Sequence, residues 1–124
     1  MSQTILLIAH GSREEESNQA LFLLLEKFRT ENPDKNVFGA FLELASPSIP
    51  EGIELCVVSG AREIFVVPLM LFPGRHVKKD IPVFIKEAEK KYPGIVFHYG
   101  GPFADKLSQK ELIDFLKRKI ATMR

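Results

Sequence analysis

Four short apolar runs divide the chain, at residues 4–9, 37–42, 64–69 and 95–99. Little polar alternation interrupts them, so each predicts a strand covered on both faces. The stretches between them change period. Leu21, Leu24, Leu25 and Phe28 recur at helical spacing, as do Ile49, Ile53, Cys56 and Val57. Ile81, Phe84, Ile85 and Ala88 mark a third helix, ended by Pro93 and Gly94. Leu112, Leu116 and Ile120 mark a fourth. Gly60 reads as the C-terminal stop of the second helix. Three helix starts carry a capping-box pair: Ser12 with Glu15, Ser48 with Glu51, and Ser108 with Glu111.

Strands alternating with helices imply a parallel sheet with right-handed crossovers. The chain has 124 residues, enough for one domain. Hydrophobic residues make up 45% of it, which suits a packed core rather than disorder. No composition shift, repeat or low-complexity tract marks a boundary. The expected fold is one flavodoxin-like, doubly wound α/β domain over residues 1–124, with a four-stranded sheet in the order 2-1-3-4 flanked by helices.

In such sheets, ligands bind beyond the carboxyl ends of the strands, where the strand order reverses. Here that point lies between strands 1 and 3. After strand 1 comes H-G-S-R, with His10, Ser12 and Arg13. After strand 3 come Phe72, Pro73, Gly74, Arg75, His76, Lys78, Lys79 and Asp80. Strand 2 ends at Glu43. His10, His76 and Glu43 thus converge from separate stretches. Two imidazoles and a carboxylate suit a borderline divalent ion such as Fe²⁺, Co²⁺, Ni²⁺ or Zn²⁺. Arg13, Arg75, Lys78 and Lys79 share this edge with helix N-termini, which favours an anionic ligand such as a polycarboxylate. Ser12 reads first as a helix cap. Ser46 belongs to a turn that also lines the site. His98 reads as a satisfied core or edge histidine, and Cys56 as core.

Charge and motif content narrow the classes. The formal net charge is +1, which argues against a nucleic-acid binder working through bulk electrostatics. A phosphate-binding P-loop and G-x-G-x-x-G are both missing, so nucleotide binding has no motif support. A single cysteine suggests a reducing compartment. The apolar run at residues 4–9 is too short to span a membrane or serve as a signal peptide. A cytoplasmic protein without a membrane anchor is expected.

The same residues resemble the class II tetrapyrrole chelatases, most closely the small sirohydrochlorin chelatases that insert cobalt, iron or nickel. The resemblance rests on L-I-A-H-G-S-R at residues 7–13 and E-L-A-S-P-S-I-P at 43–50. It continues through G-A-R-E-I-F-V-V-P-L at 60–69 and G-R-H-V-K-K-D-I-P at 74–82. It implies a half-size unit of a longer two-lobed chelatase, acting as a homodimer whose cleft holds the macrocycle. His10 and His76 would handle the metal, with Glu43 as an auxiliary acid. The family's proline-leucine-glycine step near the last strand is replaced here by Tyr99, Gly100, Gly101 and Pro102. The histidine-rich loop of some nickel-inserting relatives is missing, which tilts the metal toward Co²⁺ or Fe²⁺.

The implied activity is insertion of a divalent ion into sirohydrochlorin without ATP, for cobalamin or sirohaem biosynthesis. The metal is a substrate, and no permanently bound cofactor is expected. Either histidine can serve as ligand or as base. Three rivals compete with this reading. A metal-binding carrier would deliver an ion without chemistry. A flavodoxin-like interaction module would need neither histidine. A hydrolase built on Ser12 and His10 lacks the G-x-S-x-G elbow.

Overall fold

The apolar run at residues 4–9 becomes the central strand of a four-stranded parallel sheet. The structure is a computed structural model and describes residues 3–70, 74–100 and 109–123; for residues 76 and 77 it describes the backbone alone. The elements are β1 (Gln3–Ala9), α1 (Glu15–Glu31), β2 (Lys35–Phe41), α2 (Ile49–Val58) and β3 (Glu63–Pro68), followed by a π-helical turn (His76–Asp80). Then come α3 (Ile81–Lys91), β4 (Val96–Tyr99) and α4 (Gln109–Ala121). The strand order is β2-β1-β3-β4, with all three pairings parallel, as the alternation predicted.

Strand alternation sends β1 side chains to two cores. Leu6 and Ile8 pack with Ile49, Ile53 and Cys56 of α2 and with Ile81 and Ile85 of α3. Ile5 and Leu7 pack with Leu21 and Leu25 of α1 on the other face. Burying one such aliphatic side chain contributes roughly 1.5–3 kcal/mol. Leu24, expected in the α1 stripe, is exposed instead.

The expectation of strands covered on both faces holds for β1 and fails for β4. Exposed and half-buried residues alternate along β4, with Val96 and His98 facing solvent. Cover on that side of the sheet comes from α1, over β1 and β2, whereas α4 buries none of its residues.

Helix ends follow the local chemistry unevenly. At α2 the Ser48 hydroxyl accepts from the Glu51 N–H, and the Glu51 carboxylate accepts from the Ser48 N–H, completing the expected box. That bonding holds the Glu51 carboxyl below its ordinary pKa. The helix ends in a Schellman motif. Gly60, at φ +97°, donates to the Val57 carbonyl, and Ala61 donates to that of Cys56.

The Ser12–Glu15 box does not form. α1 begins at Glu15, and the Ser12 hydroxyl accepts from the Glu14 N–H instead. Buried Asn18 holds the turn: its amide donates to the Ser12 carbonyl and its oxygen accepts from the Ser12 N–H. Ser108, of the third expected box, lies outside the described residues.

The start of α3 was unexpected. Pro82 has no N–H, so the Lys78 carbonyl lacks its α-helical donor. The chain there winds as a single π turn before α3 proper.

Candidate active site

Main-chain pairing continues past the ends of the strands. Leu42 N–H donates to the Ala9 carbonyl at 2.9 Å, and Glu43 N–H donates to the His10 carbonyl at 3.1 Å. On the other side of β1, Leu69 N–H donates to the Ile8 carbonyl at 2.8 Å. Gly11 makes the approach to Glu43 possible. It adopts φ +97°, and a Cβ there would lie 1.8 Å from the Glu43 carbonyl oxygen. Any side chain would force the two segments apart.

This stitching brings the two side chains together. His10 Nε2 lies 3.5 Å from Glu43 Oε1, and each side chain is about half exposed. The His10 Nδ1 lies 3.2 Å from the Gly11 carbonyl. When Nδ1 carries the proton, it donates to that oxygen and Nε2 keeps a lone pair. A lone pair and a carboxylate at this separation favour a shared cation, either a proton or a metal. Two ligands about 2.1 Å from a tetrahedral ion stand roughly 3.4 Å apart, close to the observed spacing.

The third expected ligand is placed only in part. His76 opens the π-helical turn, and its side chain lies outside the described residues, as do Phe72 and Pro73. Among the described residues, no three metal-ligating side chains come together. Glu43 lies two residues beyond β2 rather than at its end. Arg13, Arg75, Lys78 and Lys79 are exposed. Ser46 is exposed and precedes Pro47 through a cis peptide. Ser12 is half-buried and engaged in the turn before α1.

Sequence reasoning missed the cleft beside Glu43. It measures about 280 Å³ and is lined by Leu42, Glu43, Asp80, Val83 and Phe84. Val83 is an exposed aliphatic residue off the buried stripe of α3, and that phase was the available signal. Asp80 is half-buried and makes no side-chain cap to α3. Two other expectations hold. Cys56 is core, and burial pushes its thiol up to about 12. His98 is an edge histidine: its ring stacks on Phe65 and its Nε2 meets Glu63 Oε1 at 2.5 Å.

The CbiX family model matches residues 4–122. The chain belongs to the CbiX family. It is 35% identical over 120 residues to the sirohydrochlorin cobaltochelatase of Priestia megaterium, covering 95% of this chain and 37% of that protein. It is 33% identical to the sirohydrochlorin cobaltochelatase of Sulfolobus acidocaldarius, covering 93% of this chain and 87% of that protein. The sirohydrochlorin chelatase SirB from Bacillus subtilis subspecies spizizenii, solved in complex with cobalt, superimposes with a TM-score of 0.78 at 38% identity. That match covers 95% of this chain and 51% of SirB. This CbiX-family chain therefore spans about half of SirB and less than half of the Priestia protein. Among the described residues, no helix is long and apolar enough to cross a membrane.

Proposed function

We propose that this chain is a metal chelatase that inserts a divalent ion into sirohydrochlorin without ATP. Co²⁺ and Fe²⁺ are the expected metals. Ni²⁺ is less favoured, because the histidine-rich loop of some nickel-inserting relatives is missing. One observation carries the reading. His10 and Glu43 meet at 3.5 Å on the sheet edge where open α/β folds take their ligands, in a chain whose relatives are named sirohydrochlorin chelatases.

The reaction exchanges two pyrrole N–H protons for one divalent ion. His10 and His76 receive the metal in an open shell, so that it can leave for the macrocycle. Whichever imidazole releases the ion then accepts one proton. Glu43 accepts the other. Arg13, Arg75, Lys78 and Lys79 hold the carboxylates of the substrate, and Ser12 and Ser46 line its path. Binding energy from those remote groups favours a bent ring with exposed nitrogens. Residues 1–124 act as one chelatase domain. A second copy completes the cleft in a cytoplasmic homodimer.

The absorbance of sirohydrochlorin with Co²⁺ or Fe²⁺ tests this directly. His10→Ala and His76→Ala should each cut turnover about 10²- to 10⁴-fold with the fold intact. Wild-type rates from both variants would overturn the proposal. Metal binding without turnover would make the protein a carrier instead.

A further inference from the structure

A second cleft, of about 440 Å³, opens at the opposite, amino edge of the sheet, between β1, β2 and the turn from α2 to β3. Thr4 lines it and is only 2% exposed. It pairs with Asn36 across the β1–β2 register, and alternation puts both side chains on the α2 face. Every sealed side-chain polar atom among the described residues has a hydrogen-bond partner. The Thr4 hydroxyl has none among those residues, so its oxygen opens into the cleft. The Asn36 amide and the Arg62 guanidinium, both lining the same space, likewise make no hydrogen bond or ion pair among the described residues.

We propose that this cleft is a second ligand site and that it takes a small oxyanion, a carboxylate or a phosphate group. The three unengaged groups can all donate: a hydroxyl, an amide NH₂ and a guanidinium fork suited to two anionic oxygens. The Thr4 hydroxyl opens into the cleft with no protein partner among the described residues, and a ligand oxygen would engage it. Glu63 also lines the cleft, but it shares the α1 face with Phe65 and its carboxylate is held by His98. Two of the last carbonyls of α2 are occupied as well. That of Cys56 accepts from Ala61 N–H and the Ser59 hydroxyl, and that of Val57 accepts from Gly60 N–H. The cleft therefore offers three donors, one of them the Arg62 guanidinium, beside the Glu63–His98 pair.

The test is an amide chemical-shift titration with inorganic phosphate and, separately, succinate, at constant ionic strength. Sodium chloride is the control. The expected result is a saturable shift at residues 3–4, 36 and 59–63 with at least one of the two oxyanions and none with chloride. The tighter anion identifies the source of the oxyanion. Arg62→Ala and Thr4→Val should each weaken binding about tenfold, and Thr4→Val should melt no lower than the parent in anion-free buffer. No saturable shift, equal shifts with chloride, or undiminished affinity in Arg62→Ala would each overturn the proposal. A lower melting temperature for Thr4→Val would also overturn it, by making the hydroxyl structural. Since the readout is binding, the result stands apart from the chelatase assay.

Discussion

Two histidine–glutamate pairs stand on the same sheet with similar exposure and opposite character. His98 and Glu63 meet at 2.5 Å, and the imidazole lies flat on Phe65. That pair is closed, with its best donor and acceptor spent on each other. His10 and Glu43 stand 3.5 Å apart beside a cleft, too far for a strong hydrogen bond. The main chains of their two loops, bonded to each other, bring them alongside. Residue types and exposure do not distinguish the two pairs; what brings each pair together does.

The sharpest way to break this contrast is to remove each imidazole in turn. His10→Ala should lower chelatase turnover by about 10²- to 10⁴-fold, whereas His98→Ala should leave it unchanged. Equal losses from both would show that the contrast is false. Next in size is Gly11→Ala. A Cβ 1.8 Å from the Glu43 carbonyl cannot be accommodated, so the variant should lose about 2–4 kcal/mol in urea unfolding and most of its activity. A stable, active variant would mean that the stitching does not set the site.

A third variant asks how far a local pattern can be trusted. Ser48→Ala removes a cap that the structure forms and should cost about 1 kcal/mol. Ser12→Ala should cost less, because Asn18 holds that turn from both sides. The smallest effect belongs to the closed pair. Glu63→Gln should change stability by less than about 1 kcal/mol, since half-exposed ion pairs contribute little. A larger loss on thermal melting would make that pair a fastener of β4 rather than a surface contact.

Much of the frame was legible because burial leaves a period in the sequence. The unbroken apolar run of β1 announced a central strand, and the alternation of runs with helical stripes announced a parallel sheet in the observed order. Strand order then located the edge where His10 and Glu43 meet. What escaped was fixed by contacts that leave no period. Asn18 reaches six residues back to Ser12 because it faces inward from the first turns of α1, and no spacing rule separates that from the capping box it displaces. The close approach of Gly11 to Glu43 joins backbone atoms of two loops and depends on an absent side chain. The π turn, just before Pro82, has no spacing signature of its own. β4 looked doubly covered because its run is largely apolar, but cover depends on the helix that would lie over it, and α4 buries none of its own residues.

The stitched loops have a consequence for redesign. The main chain acts as a fixed mount for the His10–Glu43 pair, and the donor atoms are interchangeable fittings upon it. Replacing His10 with cysteine would soften the ligand set but draw its donor back toward the main chain, whereas histidine in place of Glu43 reaches about as far as the glutamate does. Preference among metals could then be retuned at two positions while the rest of the protein stays as it is.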